Sequence, residues 1–163
     1  MTLAHRRYFI ETWGCQMNVH DSEKLSGSLM RMGLERAQDE RDADVIILNT
    51  CSVREKAQEK VFNRLQNLAH LKRKRDVVLG VAGCVAQQEG EAIFQRAPEV
   101  DFVLGTQSLV QLPEVLATVI AKRSRVVETG RHAENLDIPP EQIERVPGVK
   151  AYITVMEGCD NFC

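Results

Sequence analysis

The stretch Val45-Ile46-Ile47-Leu48-Asn49-Thr50-Cys51 decides the fold, because four consecutive apolar residues lead directly into a polar turn that ends in a cysteine. A continuous apolar run of this length is expected for a strand covered on both faces by helices. Apolar residues then recur with helical spacing between residues 57 and 71. The stretch therefore predicts a β-strand, a turn that carries a cysteine, and a helix.

The same unit recurs along the chain. Further strands are predicted at residues 7–12, 77–82, 101–104 and 125–127, and further helices at residues 21–32, 85–96 and 113–122. This alternation predicts an α/β fold with an open, doubly wound parallel sheet, flavodoxin-like, of about four to five strands. A strand order of 2-1-3-4-5 is favoured over a Rossmann order, because no Gly-x-Gly-x-x-Gly motif is present.

Helical and strand periodicity fades after the last predicted strand. Residues 1–129 are predicted to form an N-terminal α/β domain, and residues 130–150, which contain three prolines, are predicted to be a linker. Residues 151–163 begin with a run of β-forming residues. They are predicted to be the first strand of a second domain that is truncated here.

Composition narrows the class of protein. The chain has 163 residues, of which 44% are hydrophobic, and can bury one core. A net charge of −2 provides no general attraction to nucleic acid or to anionic membranes. No stretch approaches the roughly 18 apolar residues of a membrane span, and no secretory signal is visible, so a cytoplasmic protein without a membrane partner is expected. Five cysteines in such a protein favour metal binding or catalysis over disulfides.

Three cysteines, Cys15, Cys51 and Cys84, each follow a predicted strand and precede a predicted helix. The carboxyl ends of parallel strands share one edge of the sheet, where open α/β sheets bind ligands. Helix N-termini at that edge lower the pKa of a thiol and favour the thiolate that binds metals. The sequence therefore predicts that the three sulfurs converge at one site.

Such a site could hold zinc or an iron–sulfur cluster. Alternatively, one of the cysteines could be a catalytic thiolate while the other two take no part in the chemistry. Structural zinc usually takes four ligands in close pairs such as Cys-x-x-Cys, which these cysteines do not form. A 4Fe–4S cluster on three cysteines leaves one iron without a protein ligand and open to chemistry. The alternative without special chemistry is a flavodoxin-like binding domain that holds no cluster and whose cysteines are buried as small apolar side chains.

Cys159-x-x-x-Cys163 follows the predicted strand at the end of the chain. It resembles the opening of the Cys-x-x-x-Cys-x-x-Cys signature of radical S-adenosylmethionine enzymes. The third cysteine of that signature would fall three residues beyond Cys163.

Three longer strings resemble the N-terminal domain of the radical S-adenosylmethionine methylthiotransferases. They are Glu-Thr-Trp-Gly-Cys-Gln-Met-Asn at 11–18, Asn-Thr-Cys-Ser-Val-Arg-Glu-Lys-Ala at 49–57 and Gly-Cys-Val-Ala-Gln at 83–87. They are most similar to the tRNA-modifying branch, which adds a methylthio group to C2 of N6-isopentenyladenosine next to the anticodon. The runners-up are the branches that act on a ribosomal protein aspartate or on threonylcarbamoyl-adenosine in tRNA.

The resemblance implies a transferase with two 4Fe–4S clusters. Cys15, Cys51 and Cys84 would hold an auxiliary cluster that carries the sulfur, and Cys159 and Cys163 would be two of the three ligands of the radical S-adenosylmethionine cluster. S-adenosyl-L-methionine is the implied cofactor. The implied partners are tRNA and an electron donor such as flavodoxin. Without the rest of the second domain, the 163-residue chain is expected to be inactive by itself.

Other polar residues carry weaker signals. The basic run Lys72-Arg73-Lys74-Arg75 could contact tRNA phosphates, but it is more typical of a solvated helix end. The four histidines stand in no ligand spacing and are predicted to lie on the surface or in loops. Asn18 and Asn49 are predicted to be turn and cap residues rather than catalysts.

Overall fold

The computed structural model describes residues 5–52, 55–130, 138–145, 147, 149 and 151–153. Its strands are β1 (Arg7–Trp13), β2 (Glu35–Arg36), β3 (Val45–Thr50), β4 (Val78–Gly83), β5 (Phe102–Leu104) and β6 (Val126–Glu128). Its helices are α1 (Gln16–Arg31), α2 (Glu55–Lys74), α3 (Cys84–Glu89), α4 (Ala92–Arg96) and α5 (Leu112–Lys122). Short 3-10 turns lie at Glu40–Asp42, Leu109–Gln111 and Pro140–Gln142.

The strands form one parallel sheet in the order β2-β1-β3-β4-β5-β6, which confirms the predicted α/β class and its open sheet. Glu35–Arg36 was not predicted as a strand. When it is numbered as the second strand, the first five strands follow the predicted order 2-1-3-4-5. The strand at 45–50, which was predicted as the second, therefore lies between β1 and β4. Both residues of β2 are exposed, so it has no apolar pattern by which the sequence could reveal it.

Helices cover both faces of the sheet. Every residue of β3 and β4 is buried, as the continuous apolar runs predicted. On one face, Val61, Leu65 and Leu68 of α2 belong to the same buried cluster as Ile46 and Leu48. The other face is covered by α1 and α5, whose buried residues cluster with those of β3 and β5: Leu25, Leu29, Leu112, Leu116, Val45, Ile47, Phe102 and Leu104.

Two helix boundaries differ from the prediction. Helix α1 begins at Gln16, with Cys15 as its N-cap residue, and not at residue 21. The predicted helix at 85–96 is two short helices, because Gly90 adopts a φ of +49° between them. Pro113 occupies the first turn of α5, as predicted, where its missing N–H costs no helical hydrogen bond.

Part of the predicted linker packs against α1. Ile138 is buried, the Arg31 guanidinium donates to the carbonyl of Gln142 at 2.5 Å, and the N–H of Glu144 donates to the carbonyl of Glu23 at 3.3 Å. We call residues 138–145 the α1 strap. The domain boundaries at 129 and 150 stay predictions. Among the described helices, none is both long and apolar enough to cross a membrane.

Candidate functional site

The register of the sheet places the three cysteines at one edge. Trp13 of β1 pairs with Thr50 of β3, and Thr50 pairs with Gly83 of β4. The three strands therefore end at the same level. Cys51 and Cys84 come directly after these paired residues, and Cys15 comes two residues after Trp13. All three are free thiols at the carboxyl edge of neighbouring strands.

The three thiols differ in exposure. Cys15 is exposed, Cys51 is buried and Cys84 is intermediate between them. The expected lowering of the thiol pKa at a helix N-terminus is wrong for Cys84: burial raises its pKa and the neighbouring Cys51 raises it further, while a hydrogen bond from the Ser52 backbone lowers it. Asp21 and Cys15 contribute smaller upward shifts to the pKa of Cys84. Cys84 thus shares its electrostatic surroundings with both other cysteines, as expected for thiols at one site.

Two glycines bring the turns together. Gly14 has a φ of +140° and Gly83 a φ of +92°, conformations that side chains disfavour. A β-carbon on Gly14 would overlap the Cβ of Cys51 and the Oδ1 of Asn18. A β-carbon on Gly83 would overlap the Thr50 carbonyl oxygen and lie 2.6 Å from the Oδ1 of Asn49. The turns that carry the cysteines are therefore in direct backbone contact.

Two buried asparagines lie beneath the cysteines. Asn18 accepts a hydrogen bond from the N–H of Cys15 at 3.2 Å and donates one to the Thr50 carbonyl at 3.2 Å. Asn49 donates to the Asn18 carbonyl at 2.8 Å and to the Ser22 hydroxyl at 2.9 Å. Asn18 takes part in capping α1, as predicted, because it is the third residue of that helix and accepts from the N-cap residue Cys15. Asn49 lies within β3, so the prediction of a turn or cap residue was wrong for it. Together the two side chains join the turn after β1 to the end of β3.

The donor set at this edge of the sheet consists of cysteine thiols. In the described ranges, no group of three or more His, Cys, Asp or Glu side chains is arranged to hold a metal ion. A 4Fe–4S cube places iron and sulfide between its ligands, so its cysteines lie farther apart than the ligands of one ion. The three free thiols, on separate turns at one edge of the sheet, supply the ligand type that iron–sulfur clusters use.

The other predicted residues lie elsewhere. Cys159 and Cys163 are outside the described residues. Lys72 donates to the Glu99 carbonyl at 2.8 Å and pairs with Asp101, and Arg75 donates to the Ala43 carbonyl at 2.8 Å. These two cations thus serve contacts within the protein, at the edge of the sheet opposite the cysteines.

His20 corrects the expectation that the histidines lie on the surface. It is only 5% exposed, on α1, with its Nδ1 3.6 Å from a carboxylate oxygen of Glu23. Burial lowers the pKa of His20, and Lys24 lowers it further. Its neighbours in the sequence are the exposed Val19 and the polar Asp21, so the local sequence does not reveal that the α1 strap lies near its helix.

Fold and site together define an open parallel α/β domain that gathers three thiols at the carboxyl edge of its sheet. The chain belongs to the family described as "Uncharacterized protein family UPF0004", whose model matches residues 7–105 and so includes all three cysteines. This match covers more than half of the chain. The family relationship suggested by the cysteine motifs is confirmed by the relatives that follow.

Three relatives carry the name tRNA-2-methylthio-N(6)-dimethylallyladenosine synthase. The protein from Carboxydothermus hydrogenoformans is 46% identical over 164 residues, which cover 99% of this chain and 37% of the relative. The protein from Geotalea uraniireducens is 49% identical over 158 residues, 95% of this chain and 36% of the relative. The protein from Agrobacterium fabrum is 45% identical over 167 residues, which cover 97% of this chain and 36% of the relative. The chain spans about a third of the length of these relatives.

Proposed function

We propose that the chain is the N-terminal part of a tRNA methylthiotransferase that adds a methylthio group to C2 of N6-isopentenyladenosine next to the anticodon. One observation carries the proposal: the register of the sheet ends β1, β3 and β4 at the same level. This brings Cys15, Cys51 and Cys84 to one edge of the sheet. All three lie in the range that the family model matches. The relatives with 45–49% identity are named for this modification.

In this proposal Cys15, Cys51 and Cys84 hold an auxiliary 4Fe–4S cluster. When bound, the cluster supplies the sulfur of the methylthio group at an iron that no protein thiolate occupies. Of these three residues Cys51 is buried and Cys15 is exposed, so Cys15 would be the ligand nearest to solvent. Gly14 and Gly83 permit the close approach of the three turns.

The remaining parts of the proposal concern residues and partners outside the described structure. Cys159 and Cys163 are proposed as two of the three ligands of a second 4Fe–4S cluster, the one that binds S-adenosyl-L-methionine. The proposed macromolecular partners are tRNA and an electron donor such as flavodoxin. These assignments rest on the Cys-x-x-x-Cys spacing and on the names of the relatives.

Anaerobic reconstitution of the 163-residue chain with iron and sulfide tests the auxiliary site. We expect iron–sulfur absorbance near ~400 nm and about four irons per chain. Both should be lost when Cys15, Cys51 and Cys84 are all changed to alanine. The matched control is the double variant Cys159→Ala/Cys163→Ala, which removes the other two cysteines and should keep the cluster.

Three results would contradict the proposal. The first is a colourless wild-type protein that binds no iron. The second is a triple variant that binds as much iron as the wild type. The third is zinc in place of iron in protein purified without air, which would indicate a structural zinc module instead.

A further inference from the structure

The side-chain amide of Asn18 forms four hydrogen bonds in the protein interior, and that of Asn49 forms three. They are 1% and 0% exposed. The Oδ1 of Asn18 accepts from the N–H of Cys15 at 3.2 Å and from its thiol at 3.4 Å. The Nδ2 of Asn18 donates to the Thr50 carbonyl at 3.2 Å and to the Oδ1 of Asn49 at 3.4 Å. Because the Thr50 carbonyl can only accept, it sets the orientation of the Asn18 amide.

This pair contacts all three turns that carry cysteines. Asn18 forms hydrogen bonds with Cys15 and with the carbonyl of Thr50, the residue that precedes Cys51. Asn49 lies against the third turn, since its Oδ1 would be 2.6 Å from a β-carbon on Gly83, the residue before Cys84. Asn49 also donates to the Ser22 hydroxyl, which ties the pair to the second turn of α1. Cys15 caps α1 and Cys84 begins α3, and the asparagine pair adds side-chain contacts between the turns that carry the three cysteines.

Only an amide can serve in this arrangement. A carboxylate at position 18 would keep an acceptor for the Cys15 N–H but would lose both donations from Nδ2. An alanine would leave the part-buried N–H of Cys15 without this acceptor. The chemistry of an asparagine pair is therefore matched to the placement of the cysteines, beyond the capping of α1.

We propose that Asn18 and Asn49 are positioning residues for the auxiliary cluster: their paired amides hold the three thiols at the spacing that one 4Fe–4S cube requires. The inference rests on the proposed function, because it assigns a role at that same site. Partners that orient metal ligands typically contribute 10–100-fold to metal affinity. Neither asparagine touches substrate in this assignment, and neither is a ligand.

The test compares Asn18→Ala and Asn49→Ala with Ser26→Ala in the anaerobically reconstituted 163-residue chain. Ser26 is the matched control, because it lies on the same helix and forms a buried hydrogen bond of 2.5 Å with Tyr8, away from the cysteines. We expect both asparagine variants to transfer iron to a chelator about tenfold faster than the wild type. Their reduced clusters should also show an altered electron paramagnetic resonance spectrum, whereas Ser26→Ala should match the wild type in both measurements.

The inference is overturned if the asparagine variants release iron at the wild-type rate with an unchanged spectrum, or if Ser26→Ala releases it as fast as they do. Should Asn18→Ala fail to fold by circular dichroism, the comparison of Asn49→Ala with Ser26→Ala decides the inference.

A second measurement separates this inference from the proposed function. Amide hydrogen exchange of Cys15 in the metal-free protein should be faster in Asn18→Ala than in Ser26→Ala, since Asn18 is the acceptor for that N–H. A wild type that binds no iron overturns the proposed function and with it the role in cluster positioning. Exchange that is equally slow in both variants overturns the positioning of Cys15 by Asn18, even if iron binds.

Discussion

Gly14 and Cys51 lie so close that a β-carbon on Gly14 would overlap the β-carbon of Cys51. The two residues come from different strands, yet the turn that carries Cys15 rests directly on the start of the turn after β3. The turns that carry Cys15 and Cys51 are therefore in close contact, because glycine at position 14 leaves room for the Cβ of Cys51 and the side chain of Asn18. A single methyl group added at position 14 should therefore disturb the site.

Gly14→Ala should destabilise the protein by at least about 2 kcal/mol, because it adds a clash with Cys51 to a backbone conformation that side chains disfavour. Urea denaturation monitored by circular dichroism measures the change. The matched control is Gly90→Ala, whose φ is also positive but whose nearest atom is 4.0 Å away. It should cost only its backbone strain, about 1–3 kcal/mol, and therefore less than Gly14→Ala, which adds a clash to such strain. Equal losses for the two variants would contradict the close contact at Gly14.

Gly80→Ala should cost about 1–3 kcal/mol, since its β-carbon would overlap the ring of Phe102, its register partner on β5. Phe102→Leu removes that ring. The double variant should therefore be more stable than the sum of the two single changes predicts, by about 0.5–3 kcal/mol in the free energy of unfolding. Simple additivity in urea denaturation would show that the ring is not what excludes a side chain at Gly80.

Gly27→Ala should displace the α1 strap without weakening the sheet. A β-carbon at Gly27 would overlap the carbonyl oxygen of Gln142, whereas alanine favours the helix by about 0.5–1 kcal/mol. We expect faster tryptic cleavage after Arg145 at an undiminished urea midpoint. The control is Met30→Ala, at an exposed position on the same helix, which should keep the wild-type cleavage rate. Unchanged cleavage in Gly27→Ala would contradict the packing of the strap.

His20 should make stability depend on pH. Its pKa is lowered in the folded state by burial and by Lys24 and Arg145, against the opposing effect of Glu23. The unfolded chain therefore binds a proton first as the pH falls below about 6.5, and folding stability decreases with it. Above that pH both states are neutral at His20, so the residue then contributes no pH dependence.

Urea midpoints at pH 7.5 and 5.5 measure this effect. His20→Gln should lose less stability between the two pH values than the wild type does. His70→Gln, at an exposed position on α2, is the matched control and should behave as the wild type. A His20→Gln variant with the full wild-type loss would show that His20 is not the group responsible.

Local sequence was sufficient for the elements that are buried on both faces. The apolar runs at β3 and β4 and the helical spacing in α2 are properties of neighbouring residues, and they predicted those elements. The two-residue strand β2 was missed, because it is held by hydrogen bonds to β1, such as Glu35 N–H to the Arg6 carbonyl, and not by apolar burial. Because β2 was not predicted, the strands at 45–50 and 77–82 were expected on the two sides of β1, whereas β2 and β3 lie there.

For the candidate site, the repeated position of a cysteine after each strand predicted which thiols share an edge. The pairing of Asn18 with Asn49 could not be predicted, since it joins residues 31 positions apart through side-chain amides. The buried state of His20 escaped prediction for a similar reason, because that side of α1 carries the strap, which comes from beyond residue 137.

The sequence by itself determined the α/β alternation and the turn at which each thiol stands, because both follow from periodicity and from residues adjacent in the chain. Tertiary structure alone decided how the thiols meet: the register that ends three strands at one level, the glycines that let their turns touch, and the amide pair beneath them. These features depend on contacts between distant parts of the chain, which form only when the sheet is assembled.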